Sequence, residues 1–296
     1  MIYEFMRNNS KQFEITKMAQ VFKVSRAGYY KSIDKQDSKT KRDNNDLVVK
    51  IKVIHKKSHE TYGSPRIHKE LKKNGVLCSR RRIAHLMKSN KIQAKMRKKW
   101  KVSDKACKDV TRIAPNIVNK IFKVPSPNMV WVSDITYIRT LEGWLYVATV
   151  MDLFSRKIVG LAMSNQIDIN LIKKALTQAI CHRSPKPGLI IHSDRGSQYT
   201  SHEYKQTTHM QGFLLSMSAK GYCYDNAAME SFYHTLKTEH TYFHKYQTRK
   251  EAAQSIFEYI EVFYNRQRIH STLNYLSPTE FENKHAMSSP KLGVVG

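Results

Sequence analysis

The sequence predicts an α/β fold, a mixed five-stranded sheet flanked by helices and preceded by an all-α portion of helix-turn-helix type. Three observations lead there. Up to Met87 the apolar residues recur at helical spacing. Between Val130 and Met163 three β-rich runs are separated only by turns. Beyond Asp168 helical stripes alternate with short apolar runs, the pattern of a sheet covered by helices.

Ile15, Met18, Ala19 and Phe22 share one helical face, and Val24-Ser25 supplies a turn and an N-cap before a second short helix. Residues 31–46 are polar with no apolar period and are expected to form a linker. Leu47, Ile51 and Ile54 open a second helical unit. Ser64-Pro65 reads as a cap followed by proline at the first helical position, with Ile67 and Leu71 inward and Asn74-Gly75 as the stop. Ser79 caps a further helix that carries Arg80, Arg81 and Arg82 in its first turn. Arginines there oppose the helix macrodipole, so helix stability explains them poorly. A helix lying in a major groove can turn such residues on phosphates or base edges. Residues 88–112, including Lys98 and Lys99, read as a basic connector able to follow a phosphate backbone.

Strands are expected at 130–138, 145–151, 158–163, 189–192 and 213–217, and helices at 168–182, 201–211, 225–239 and 250–266. Three antiparallel strands followed by alternating helix and strand is the order of a ribonuclease H-like core. The implied division is 1–45 (short helical segment and linker), 46–112 (basic helical unit and connector), 120–283 (α/β core) and 284–296 (tail).

Composition narrows the partner. The chain has 296 residues and a formal charge of +27, with 41% hydrophobic residues, enough for a packed core. Residues 1–120 carry 32 Lys and Arg against 10 Asp and Glu, whereas 121–296 carry 19 against 14. So uneven a charge points to a polyanion held by the front half, and nucleic acid fits better than a membrane surface. Neither a membrane span nor a secretory signal is evident. The four cysteines are widely spaced without a CxxC pair, as expected of free thiols in a reducing cytoplasm.

Asp134 interrupts an apolar strand, and Asp194 sits just past the end of another, where open α/β sheets place ligands. If those strands pair in parallel, the two carboxylates converge, and their repulsion calls for a cation between them. Oxygen-only ligands suit Mg²⁺ or Mn²⁺. Glu230, at the edge of an inward stripe of Met229, Phe232, Tyr233 and Leu236, is the candidate third ligand, with Asn226, His234 and Lys237 on its face. Asp152 and Asp168 are competing acids; Asp168 reads most simply as an N-cap, and Asp225 as a cap.

Three stretches, Trp131-Val132-Ser133-Asp134-Ile135-Thr136-Tyr137-Ile138, His192-Ser193-Asp194-Arg195-Gly196-Ser197-Gln198-Tyr199 and Gly221-Tyr222-Cys223-Tyr224-Asp225-Asn226-Ala227-Ala228-Met229-Glu230-Ser231-Phe232, closely resemble a known family. It is the DDE transposases of bacterial insertion sequences, specifically the second-frame product of the two-frame class, related to retroviral integrases. Thirty-five residues separate Asp194 from Glu230, and Lys237 follows seven positions later, as in the family. The stretches from Tyr62 to Ile67 and from Tyr264 to Leu273 resemble its upstream helical domain and closing helix. The resemblance implies that Asp134, Asp194 and Glu230 bind two Mg²⁺ or Mn²⁺ ions. It also implies cleavage at the element's terminal inverted repeats and joining to target DNA by transesterification, without ATP or a covalent protein–DNA intermediate. Expected DNA contacts are Arg66, Arg80, Arg81, Arg82, Lys98, Lys99, Lys220, Asn226 and Lys237. Expected partners are further copies of the chain on DNA and the product of an upstream reading frame; the expected location is the cytoplasmic nucleoid. Two competing functions are a DNA-binding regulator with an inactive core and a ribonuclease H-like nuclease. His55 and His59 have the HxxxH half of a zinc domain, but no CxxC follows, so they read as surface histidines.

Overall fold

The computed structural model describes residues 2–33, 38–96, 114–118, 124–218 and 226–288. Lys98, Lys99, Lys220 and Asp225 lie outside the described residues. At the N-terminus α1 (Ile2–Asn8), α2 (Ile15–Val21) and α3 (Arg26–Ile33) enclose a small core of Met6, Met18, Ala19 and Tyr29. Ser25 Oγ accepts the Gly28 N–H at 3.0 Å, the cap that the sequence suggests.

The helix α4 (Lys39–Lys57) begins inside the stretch expected to be a linker, with Ser38 Oγ accepting the Lys41 N–H at 3.2 Å. Its buried residues begin at Leu47. The preceding turns are a capped, solvent-exposed extension with no apolar stripe to reveal them. Two further helices, α5 (Ser64–Lys73) and α6 (Arg80–Ser89), pack Ile67, Leu71, Ile83, Leu86 and Met87 against Leu47, Val48 and Ile51. The cap of α5 is Gly63, one residue earlier than expected, and Pro65 stands in its first turn.

The sheet comprises β1 (Val130–Thr140), β2 (Gly143–Asp152), β3 (Ile158–Ser164), β4 (Ile190–Ser193) and β5 (Leu214–Met217), in the order β3-β2-β1-β4-β5. Strands β1, β2 and β3 are antiparallel neighbours, whereas β4 runs parallel to β1, and β5 to β4. Side chains alternate between the faces of a strand, and the two cores divide accordingly. Trp131, Ala148 and Val150 point to a layer containing α7 (Ile169–Arg183) and α8 (His202–Met210). Val130, Val132, Val147 and Met151 point to the opposite layer with α9 (Ala227–Glu239) and α10 (Arg249–Glu258). Asp168 caps α7 by accepting the Leu171 N–H at 3.0 Å. Gly160 lets β3 approach that helix: a Cβ there would lie 2.2 Å from the Ala175 carbonyl oxygen.

Two C-terminal expectations change. The helix expected over 250–266 passes into a π-helical turn over Tyr259–Tyr264, and α11 (Pro278–Ser288) extends into the expected tail. The α4–α6 unit and the second layer share one apolar cluster. Polar ties reinforce it: Tyr62 Oη accepts the Ile269 N–H at 2.8 Å, and Lys73 Nζ lies 2.5 Å from Glu280.

Candidate active site

The parallel register Val130↔Ile190, Trp131↔Ile191 and Val132↔His192 sets the site. Asp134 and Asp194 each stand two residues beyond the last of these pairs, at the same end of neighbouring strands spaced about 4.8 Å apart. Asp134 is half-buried and Asp194 exposed. Asp134 Oδ1 accepts the Ile135 N–H at 2.8 Å, and Asp194 Oδ1 accepts the Gly196 N–H at 2.9 Å. A Cβ on Gly196 would come within 3.0 Å of that oxygen, so glycine lets the loop fold close over the carboxylate. Behind it, buried His192 bridges Ser216 Oγ (2.9 Å) and Ser218 Oγ (3.1 Å), and Arg195 Nε donates to the Ser218 carbonyl at 2.7 Å.

Glu230 is exposed in the first turn of α9. One turn on, Tyr233 is buried, and its hydroxyl donates to the Asp134 carbonyl at 2.6 Å while lying 2.8 Å from Thr149 Oγ1. Burial pushes the Tyr233 phenol well above its ordinary value, and the charges of Asp134 and, more weakly, Asp194 push it the same way. A neutral phenol held there therefore senses both aspartates and ties the Glu230 helix to β1. Tyr233 was legible only as part of an apolar stripe. Its place three residues after Glu230 is the signal that could have marked it.

The structure brings Asp134 and Asp194 together but does not close the set. Among the described residues no group of three His, Cys, Asp or Glu side chains forms a metal cluster, and Glu230 stands outside the aspartate pair. The donor chemistry nonetheless fits a hard divalent cation: two carboxylates at one strand end, and a third on a helix hydrogen-bonded to the same strand.

The expected DNA contacts divide. Arg80 and Arg81 are exposed at the start of α6, while Arg82 Nε donates to Asn44 Oδ1 at 2.9 Å. Lys237 Nζ lies 4.9 Å from the Tyr137 ring, which packs edge-on against the exposed Trp144. Asn226 is buried, and its Oδ1 has no hydrogen-bond partner among the described residues. Arg66 faces inward: Nη1 lies 3.4 Å from Glu239 Oε1, and the guanidinium sits over the Tyr62 ring. Glu239 in turn takes a two-pronged bond from Arg268, at 2.8 and 2.7 Å. Among the competing acids, Asp152 is buried and paired with Arg183 at 3.1 Å, a structural role. His55 Nε2 lies 3.0 Å from the Gln93 carbonyl oxygen, and His59 packs edge-on against Phe263.

A core that gathers acidic groups at one end of a mixed sheet, joined to a basic helical unit, defines a nucleic-acid-processing enzyme. Residues 124–223 and 230–285 match integrase core domain families, and 41–100 match an HTH-like domain. The chain is 43% identical over 268 residues to the insertion element IS600 uncharacterized 31 kDa protein of Shigella sonnei, covering 90% of this chain and 98% of that protein. It is 44% identical to the transposase for insertion sequence element IS904 of Lactococcus lactis subsp. lactis (strain IL1403), covering 84% of this chain and 98% of that one. Among solved structures, the HTLV-2 integrase catalytic core domain in complex with magnesium aligns at a TM-score of 0.42 with 14% identity, over 54% of this chain and 99% of that one. The chain belongs to the DDE transposases of bacterial insertion sequences, enzymes of transposition and DNA integration. Among the described residues no helix is long and apolar enough to cross a membrane.

Proposed function

We propose that Asp134, Asp194 and Glu230 are the catalytic carboxylates and hold two Mg²⁺ or Mn²⁺ ions while this transposase cuts the terminal inverted repeats of its element and joins the freed 3′-hydroxyls to target DNA. The single observation that carries the reading is the parallel β1–β4 register, which sets Asp134 and Asp194 side by side. Ions held there would activate the attacking oxygen and stabilise the leaving one. The chain's own contribution is placement. The Ile135 and Gly196 N–H groups orient the two aspartates, and Tyr233 fixes the Glu230 helix against β1. Lys237, on the Glu230 face of α9, stands about 10 Å along the helix from Glu230, within reach of a neighbouring phosphate.

The exposed Arg80 and Arg81, with Lys98, Lys99 and Lys220, are proposed to meet DNA phosphates. The functional division is proposed to follow 46–112 for DNA binding and 120–283 for catalysis. The enzyme is proposed to act as an oligomer on DNA with the product of an upstream frame, in the nucleoid. Strand-transfer assays on inverted-repeat DNA test the site. Asp134→Asn, Asp194→Asn and Glu230→Gln should each lose metal-dependent nicking and joining while keeping DNA binding. Full activity in any one removes that residue from the site.

A further inference from the structure

A cavity of about 290 Å³ opens beside α9, next to Glu230 but not lined by it. Its walls include Arg66 from α5, Arg156 from the β2–β3 turn, Ser231 from α9, and Arg268, His270 and Thr272 from the C-terminal segment. Three guanidiniums meet there, and Glu239 is paired with two of them, Arg66 and Arg268. Among the described residues the Arg156 side chain has neither an ion pair nor a hydrogen bond, although it is half-buried. Burial accordingly draws its pKa below the ordinary arginine value. Burial and then Arg268, Arg66 and Arg156 hold the His270 imidazole neutral, so it adds no charge. Arg156 also stands at φ +61°, a left-handed conformation unusual for a long side chain. The turn locks it there through Arg156 N–H to the Asp152 carbonyl at 2.8 Å and Asp152 N–H to the Lys157 carbonyl at 2.9 Å. A strained turn here presents an unpaired cation to a cavity already rich in arginine, an arrangement that costs the folded chain stability unless an anion meets it.

We propose that this cavity is a phosphate-binding pocket for the backbone of the DNA on which the enzyme acts, with Arg156 as its dedicated phosphate ligand. Arginine forks and hydroxyl donors suit a phosphodiester. The proposal rests on DNA being the substrate and not on the carboxylate assignment. Glu230 and Ser231 are adjacent on α9, about 100° apart around its axis, so a phosphate seated by Ser231 sets the register of the duplex relative to Glu230. The shared chemistry, a phosphate oxyanion, could also be met by free phosphate.

The test uses the full chain with Arg156→Met, Arg156→Lys and Glu230→Gln. Binding to terminal inverted-repeat DNA is measured over a salt series without divalent metal. Thermal midpoints are measured without DNA, with and without inorganic phosphate. Arg156→Met should keep or raise the DNA-free midpoint, weaken DNA binding about tenfold and flatten the salt slope by about one. Arg156→Lys should restore most of the slope. Glu230→Gln should leave it unchanged, which separates failure here from failure of the carboxylate reading. A lowered DNA-free midpoint with an unchanged slope would make Arg156 structural and overturn the proposal. Stabilisation by micromolar inorganic phosphate with no effect of Arg156→Met on DNA would assign the pocket to free phosphate and equally overturn it.

Discussion

The Tyr233 hydroxyl reaches the backbone carbonyl of Asp134 at 2.6 Å, joining α9 to the strand that carries the first aspartate. The same oxygen lies 2.8 Å from Thr149 Oγ1, so one phenol spans β1, β2 and α9. Removing it in Tyr233→Phe leaves the Asp134 carbonyl without this donor and the Thr149 hydroxyl without this acceptor, at about 1–3 kcal/mol. Denaturant midpoints should fall accordingly, and strand transfer should drop more than DNA affinity because Glu230 loses its anchor. Wild-type strand transfer in a destabilised Tyr233→Phe protein would show that the tie is purely structural.

Glu239 and Arg268 are both almost fully buried, at 4% and 5% side-chain exposure. Opposing the desolvation that favours its neutral form, hydrogen bonding and charge from Arg268, with Arg66 adding to both, hold the Glu239 carboxyl below its ordinary range. Glu239→Gln strands a buried guanidinium and should cost about 3–5 kcal/mol. Adding Arg268→Met should recover a large part of that loss. An additive double mutant would contradict the coupling.

Acid should destabilise the fold before the carboxylates protonate. Burial, then the neighbouring His244 and His59, lowers the His240 pKa from 6.5 to about 4, and its Nε2 lies 2.9 Å from Ser255 Oγ. Below pH 6.5 the unfolded chain takes up a proton that the folded chain refuses, so stability is complete above 6.5 and falls until about pH 4. At about 1.4 kcal/mol per unit over that window the loss approaches about 3.5 kcal/mol. Urea titrations at pH 7 and pH 5 should show a drop that His240→Gln reduces. Equal slopes in the two proteins would rule out His240 as the cause.

Gly160→Ala should destabilise the core by about 1–3 kcal/mol through overpacking, because the added Cβ meets the Ala175 carbonyl at 2.2 Å and the Ala179 Cβ at 2.9 Å. Calorimetry would register this as a lower midpoint. An unchanged midpoint would mean that α7 is free to move off β3.

Asp134 and Asp194 could be singled out from the chain because an acid in or just past an apolar strand is a local signal, and the succession of strands and helices followed from their apolar patterns. The exposed turns of α4 before Leu47 have no apolar period, so a charged run that is helical only by capping and continuity looked like a linker. The π-helical turn at Tyr259–Tyr264 was hidden in a helical stripe that runs on without a break. Its register change, with Arg268 N–H reaching back to the Phe263 carbonyl at 2.7 Å, helps turn Arg268 inward. Arg66 reads as a DNA contact from its charge, yet it faces Glu239, a partner 173 positions away that no local pattern reveals.

The most direct test is a crystal structure of the full chain with Mn²⁺ and terminal inverted-repeat DNA, with the metal located by anomalous scattering. Two Mn²⁺ ions are expected, ligated among them by Asp134, Asp194 and Glu230, with carboxylate oxygens at about 2.0–2.2 Å. Manganese bound elsewhere, or Glu230 held more than about 10 Å from both aspartates in the DNA-loaded state, would contradict the assignment, since a shared metal pair cannot span that gap.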